Sequence, residues 1–190
     1  RDERLMVRDC ILIASNTMCR VGELWQLEWR DIRNITTEKD QSGKEVKLVE
    51  LIVRKEISKV RSTRRVISRG GEYIERLKKR SKFTDPNHFL FSAIGGTARL
   101  NTKKWYHHWG VLMNGIGIEN YQERNLTWYS LRHFGITCRI RAKVPYGDIA
   151  QISGTSVTYI TTHYAHYDDD MLKSTALQNF SVHRDGVSIR

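Results

Sequence analysis

Only two prolines, Pro86 and Pro145, interrupt 190 residues. That scarcity is the strongest single constraint on the fold, because proline removes a backbone donor and ends any helix it does not start. Long helices therefore have room over most of the chain. Helical spacing predicts a helix over 1–16, centred on Ile11, Leu12, Ile13 and Ala14, and a short one over 20–27 with Val21, Leu24 and Leu27 on one face. Residues 29–35 lead into strand-like sequence. Strands are predicted over 46–53 and 65–67, after a turn at Gln41-Ser42-Gly43-Lys44. Gly70-Gly71 opens a basic amphipathic helix over 72–82, and the Asp85-Pro86-Asn87 turn precedes a short strand over 88–91. Beyond Asn101 the pattern is helical over 101–113, 127–142, 146–152 and 156–166, with a tail helix within 168–190. The expected fold class is α+β: a mostly helical domain with a small antiparallel sheet near the N-terminal third. At ~150 residues per domain, the length fits one domain and at most two.

The formal net charge is +11 and the pI about 9.8, which points to a polyanionic partner, nucleic acid or an anionic surface. No apolar run reaches the ~20 residues of a membrane span, and the chain opens as a helix with no leader-like segment, so a cytoplasmic domain cut from a longer protein is expected. Cys10, Cys19 and Cys138 are odd in number and widely spaced; they are expected to be reduced and buried rather than bridged. The basic residues cluster. Arg54, Lys55, Lys59, Arg61, Arg64, Arg65 and Arg69 crowd the hairpin, Arg76 to Lys82 continue on the next helix, and Lys103, Lys104, His107 and His108 interleave with Trp105, Tyr106 and Trp109. Basic residues among aromatics suit a phosphate backbone; a solvated surface has the same look.

Three segments could carry chemistry. In Arg20-Val21-Gly22-Glu23, the carboxylate three residues on can orient the guanidinium, whose planar fork fits phosphate oxygens; a plain surface ion pair has the same spacing. In Tyr129-Ser130-Leu131-Arg132-His133, an arginine sits among apolar and aromatic neighbours, where it needs an anion: an external phosphate, or a distant carboxylate. In Gly154-Thr155-Ser156 through His163-Tyr164-Ala165-His166, Ser156 can cap a helix with Tyr164 about two turns on. A phenol of pKa about 10 attacks a phosphodiester only if cations neutralise the phosphate and a neighbour takes the proton. The His163/His166 pair lacks a third ligand, so no metal site is expected.

In this order the segments resemble the catalytic domain of the tyrosine recombinases, the phage-type integrases, over nearly the whole chain. Arg20-Val21-Gly22-Glu23-Leu24 looks like the first arginine motif, Ser58-Lys59 like the lysine of the β-turn, Tyr129 to His133 like His-x-x-Arg, and the segment ending in Tyr164 like the nucleophile motif. Two positions depart from the pattern: Tyr129 stands where the family has histidine, and Thr155 where it has His or Trp.

The resemblance implies DNA strand exchange without metal or other cofactor. Tyr164 would form a 3′-phosphotyrosine link and free a 5′-hydroxyl, and another strand's 5′-hydroxyl would reseal the backbone. Arg20 and Arg132 would clamp the phosphate, Glu23 would orient Arg20, and Lys59 would protonate the leaving oxygen. Tyr129 and Thr155 would be lesser contacts, so that either another group such as His133 or His163 takes the phenolic proton or turnover is slow. Arg54, Lys55, Arg61, Arg64, Arg65, Lys103, Lys104 and His133 would contact DNA. Expected partners are double-stranded DNA and, for a full-length protein with further N-terminal DNA-binding domains, three more copies in a tetramer on synapsed DNA; the 190-residue chain alone is expected to be monomeric, with no membrane partner. A catalytically impaired DNA-binding module, a type IB topoisomerase-like enzyme and an RNA-binding domain are the competing readings.

Overall fold

The computed structural model describes residues 2–93, 96–164, 173, 177, 180–183 and 186–189. Helix α1 (Asp2–Thr17) leads to α2 (Val21–Leu24), a 3-10 turn (Trp29–Asp31), and strands β1 (Ile32–Lys39), β2 (Glu45–Val53) and β3 (Arg64–Arg69). Helices α3 (Gly71–Arg80), α4 (Thr102–Gly115), α5 (Ser130–Arg141), α6 (Tyr146–Ser153) and α7 (Val157–Tyr164) follow, and β4 (Phe180–His183) pairs with β5 (Gly186–Ile189). The α+β expectation and the N-terminal sheet are observed.

The sheet has antiparallel order β1-β2-β3. Its register sets Val53 opposite Arg64, Leu51 opposite Val66 and Val49 opposite Ser68. Period-two alternation then turns Val49, Leu51, Val53, Arg64, Val66 and Ser68 inward together. The main core joins this face to α1 through Cys10, Ile13 and Ala14, to α3 through Ile74 and Leu77, and to a group of indoles. Trp25 stacks on Trp105 with centroids 5.2 Å apart, and Trp128 meets Trp105 edge-on at 5.1 Å. Trp105 and Trp109 are thus core residues, not a stacking platform for bases. Their spacing of four puts both on the inward stripe of α4. A second, smaller core of Met18, Ile136, Ile140, Ile149, Ala150 and Ile160 binds α5, α6 and α7 together.

Several expectations are corrected. The helix predicted over 20–27 ends at Leu24, because Leu27 accepts a bond from the Leu90 N–H at 2.8 Å and Trp29 donates to the His88 carbonyl at 3.0 Å, drawing the chain out of the helix. The strand predicted over 88–91 reduces to one bridge, Glu28 with Phe89; the 3-10 turn just after Glu28 takes its partner out of extended geometry. Cys138 is exposed, while Cys10 and Cys19 are buried. Arg76 and Arg80 turn onto the buried Asp9 of α1 rather than to solvent alone. Of the tail helix expected within 168–190, residues 168–172, 174–176, 178–179, 184–185 and 190 lie outside the described residues, and Lys173 is helical. Residues 180–183 and 186–189 form the paired strands β4 and β5 instead, and in sequence Phe180, Val182, Val187 and Ile189 alternate with polar residues or glycine, the period of a strand.

Helices α1 and α5 touch at Gly135. A Cβ there would lie 2.4 Å from the Ser15 carbonyl oxygen and 2.9 Å from the Met18 side chain. Alanine's helix propensity favours the replacement by about 1 kcal/mol, but overpacking against backbone costs about 1–3 kcal/mol or more. Gly135→Ala is therefore expected to lower the melting temperature; an unchanged or raised value would contradict this close approach.

Candidate functional site

The second core is capped by the end of α6, and that end organises the site. A helix leaves its last carbonyls without intrahelical donors, and its C-terminus carries partial negative charge. Here three consecutive carbonyls each accept from a different arginine. Ile152 O accepts from Arg64 Nε at 3.4 Å, Ser153 O from Arg132 Nη1 at 2.7 Å, and Gly154 O from Arg20 Nη2 at 2.8 Å. Gly154 ends α6 at φ +67°, and a Cβ there would lie 2.8 Å from the Arg64 guanidinium. Only glycine gives that φ without strain and leaves room for the arginine.

Arg20 is the N-cap of α2, in extended conformation. Its backbone N–H donates to Glu23 Oε2 at 2.9 Å, and its Nη1 to Glu23 Oε1 at 3.2 Å. Glu23 is 1% exposed. Beneath it Arg64 donates Nη1 to Oε1 at 3.0 Å and Nη2 to Oε2 at 2.6 Å, a fork-on-fork pair. Burial raises the pKa of the Glu23 carboxyl, but the Arg64 hydrogen bonds and charge, with Arg20, outweigh it and hold the group below its ordinary value. Arg64 is pushed above its ordinary value: burial works against its charge, and Glu23 prevails.

Arg132 lies in the first turn of α5 and is 2% exposed. Besides Ser153 O it donates to the carbonyl of Met18, a non-glycine residue held at φ 55°. Among the described residues it forms no ion pair with a carboxylate. Burial, then repulsion from Arg20, lowers its pKa. Three guanidiniums thus gather around one carboxylate, leaving two positive charges uncompensated among the described residues. A site of this kind favours an external anion.

Tyr164 ends α7, whose first turn is capped by Ser156 Oγ accepting from the Tyr159 N–H at 3.0 Å. The Tyr164 hydroxyl lies 2.6 Å from His133 Nδ1. Burial pushes the phenol up to about 12 despite the nearby positive charge of Arg132. Tyr129 packs edge-on against His133, with centroids 5.0 Å apart.

The structure therefore brings together Arg20, Glu23, Arg132, His133 and Tyr164. Thr155 lies in the turn joining α6 to α7, where its N–H donates to the Ala150 carbonyl at 3.2 Å. Lys59 is exposed in the β2–β3 connection, which runs into β3 at Arg64. Lys55, Arg61 and Lys103 are exposed too, with no ion pair among the described residues. Arg64 is corrected: it is a buried strut under the site, not a surface contact. The sequence carried a signal for this, since Arg64 is in phase with the inward Val66 and Ser68. Arg54 pairs with Asp31 and Glu28, Arg65 with Glu50, and Lys104 with Glu3. The role of the α6 carbonyls had no sequence signal, because backbone acceptors are the same in every residue.

An α+β frame thus holds an arginine cluster near a tyrosine, the arrangement expected from the resemblance to the integrase catalytic domain. The model of the phage integrase family matches residues 2–171, and the chain belongs to that family. Comparison with curated proteins gives no match. Among solved structures, the chain is similar to XerH site-specific recombinase bound to difH substrate in a pre-cleavage complex, at 20% identity and a TM-score of 0.67, covering 93% of this chain and 48% of that one. It is similar to the Tn1549 transposon integrase in complex with transposon right end DNA, at 18% identity and 0.63, covering 90% and 58%. XerA recombinase matches at 21% identity and 0.58, covering 92% and 60%. At these identities the likeness is one of fold, and the chain spans roughly half to three-fifths of those proteins.

Proposed function

We propose that residues 1–190 form the catalytic domain of a site-specific DNA recombinase that cuts and rejoins double-stranded DNA through a 3′-phosphotyrosine link. The observation that carries this reading is the arginine cluster at the end of α6, three guanidiniums to one carboxylate, with Arg132 unpaired among the described residues and its charge acting on the Tyr164 hydroxyl. A scissile phosphate supplies the missing anion. Its charge grows as the tyrosine oxygen adds, so donors already fixed by the α6 carbonyls and Glu23 stabilise the transition state more than the ground state. Lys59, on an exposed turn, comes to the leaving 5′-oxygen with the DNA and gives it a proton. Thr155 and Tyr129 act as lesser contacts at the rim. DNA partners support the reading, since the similar structures are XerH bound to difH substrate and the Tn1549 integrase in complex with transposon right end DNA. Four copies on two synapsed duplexes form the working assembly of the full-length protein, with further DNA-binding domains N-terminal to this one. No described helix is long and apolar enough to cross a membrane.

Covalent capture tests the nucleophile. The protein is mixed with a pool of nicked duplexes whose cleaved strand loses a short fragment, then denatured. DNA attached to the unmodified protein and absent from Tyr164→Phe is the expected result; equal attachment in both would remove Tyr164 from its role.

Binding should also sort the basic residues. Each phosphate contact contributes about −0.9 to the slope of log K against log salt. Lys55→Ala or Lys103→Ala is expected to make that slope shallower by about one contact. Arg65→Ala is expected to change it less, because Arg65 is already held by Glu50 at 2.6 Å. Equal effects from all three would show that these ion pairs open on DNA.

A further inference from the structure

We propose that His133 takes the phenolic proton of Tyr164 as the tyrosine attacks phosphorus, and returns it when the strand is resealed. This rests on the strand-exchange reading above. The family pattern puts a histidine where this chain has Tyr129, and a neutral phenol is a poor proton acceptor. Four aromatic side chains bearing a heteroatom lie around Tyr164, namely Tyr129, Tyr159, His133 and His163, and Tyr159, also a phenol, meets it only through a ring contact at 6.3 Å. Tyr129 makes no hydrogen bond to Tyr164 among the described residues. His163 directs Nδ1 to the Tyr159 carbonyl of its own helix at 3.0 Å and stacks on the Tyr159 ring at 4.0 Å. Among the described residues it is His133 that reaches the nucleophile's hydroxyl, with Nδ1 2.6 Å from it and the two rings 5.3 Å apart.

The surroundings suit that direction of transfer. The groups facing His133 are Arg132 and Tyr129 on its own helix and His163 and Tyr164 on α7. Burial, then Arg132, then His163 lower the His133 pKa, so the imidazole is neutral at neutral pH and free to accept. Tyr164, pushed up to about 12, keeps its proton at rest. Transfer thus accompanies bond formation rather than preceding it. The Tyr164 Oη–phosphorus bond forms as the phosphorus–O5′ bond breaks. The phenolic proton moves to His133 Nδ1, giving an imidazolium, and the departing 5′-oxygen takes a proton from Lys59. In resealing, an incoming 5′-hydroxyl passes its proton to Lys59 as its oxygen bonds phosphorus, and the imidazolium protonates Tyr164 Oη as the Oη–phosphorus bond breaks. Tyr129 edge-on and Arg132 next in sequence position the imidazole. Acceptance at Nδ1 requires the ring proton to sit on Nε2.

Two measurements test this. The first is the ring-nitrogen NMR spectrum of the protein without DNA, with His133→Gln assigning the signal. A neutral His133 protonated on Nε2 is expected; protonation on Nδ1 would overturn the proposal. The second is the pH profile of covalent capture on the nicked-duplex pool, made with either the ordinary phosphodiester or a 5′-bridging phosphorothiolate, whose sulfur leaves without a proton. His133→Ala and His133→Gln are expected to slow capture about 10²-fold at neutral pH. They should also replace the wild-type rise and plateau near the imidazole range with a rise continuing to high pH. The phosphorothiolate should rescue Lys59→Ala and leave the His133 variants slow. Rates for His133→Ala within about threefold of wild type at every pH would overturn the base assignment alone. Failure of the unmodified, cooperatively melting protein to capture any duplex would overturn the strand-exchange reading, and this assignment with it.

Discussion

Arg132→Ala is expected to reduce covalent DNA capture by about 10²–10³-fold or more, the cost of removing a preorganised donor from a developing oxyanion. Arg132 is the more buried of the two arginines proposed as the clamp and the one without a carboxylate partner among the described residues. Its charge is therefore the part of the cluster least neutralised by protein. The same change acts on stability in two directions. It leaves the Met18 and Ser153 carbonyls without their donor, worth about 1–3 kcal/mol for each buried group left unpaired. It also removes a buried cation repelled by Arg20. The melting temperature should move far less than the capture rate. Arg132→Lys separates charge from shape: it keeps a cation but loses the planar fork that reaches carbonyl and phosphate together, and capture should remain strongly impaired. Single-turnover capture and thermal melting on the same preparations check this. A folded Arg132→Ala protein that captures DNA at the wild-type rate would falsify the clamp assignment.

Glu23→Ala should have the largest effect on the fold itself. Glu23 carries both an Arg64 fork and the Arg20 side chain and backbone N–H. Removing it leaves Arg64 buried and unpaired, a loss of about 3–5 kcal/mol, and frees Arg20 from its orientation, so binding and capture fall as well. The pH dependence has a definite sign. The folded Glu23 carboxyl is depressed below the ordinary value of 4.5. Its contribution to stability is therefore fully present above that unfolded value, and is lost as pH falls through the folded one. Acid denaturation followed by circular dichroism should show this loss. Glu23→Gln should be less stable at neutral pH and respond less to acid in that window. Parallel curves for the two proteins would contradict a depressed Glu23.

Tyr129 is the feature of the sequence that favours an impaired module, and the contact of His133 with the Tyr164 hydroxyl is the structural observation that bears on it. Tyr129 is the N-cap of α5 and His133 lies one helical turn on, so a phenol at one and an imidazole at the other present both rings to the end of α7. Sequence order places His133 next to Arg132 but does not say which residue meets Tyr164, 31 positions away. That is settled by the packing of α5 against α7 through Ile136, Ile140 and Ile160.

Local pattern determined much of this protein. Scarce proline and apolar periodicity marked out α1, α3, α4, α5, α6 and α7 with ends shifted by a few residues. Alternation marked β2 and β3, and ordered motifs marked Arg20, Glu23, Arg132 and Tyr164. These are legible because helix and strand periods, and the chemistry of an arginine or tyrosine, are written in neighbouring residues. Tertiary structure alone decided what each charge does. Arg64 and Lys59 lie in one basic run, yet strand phase buries Arg64 under Glu23 while the turn leaves Lys59 exposed. Trp105 and Trp109 stand among cations in sequence and inside the core in space. The end of α6 holds three arginines through backbone oxygens that every residue possesses. The physical reason is the same in each case: a charge or a ring is used according to the field and the solvent around it, and distant segments set both.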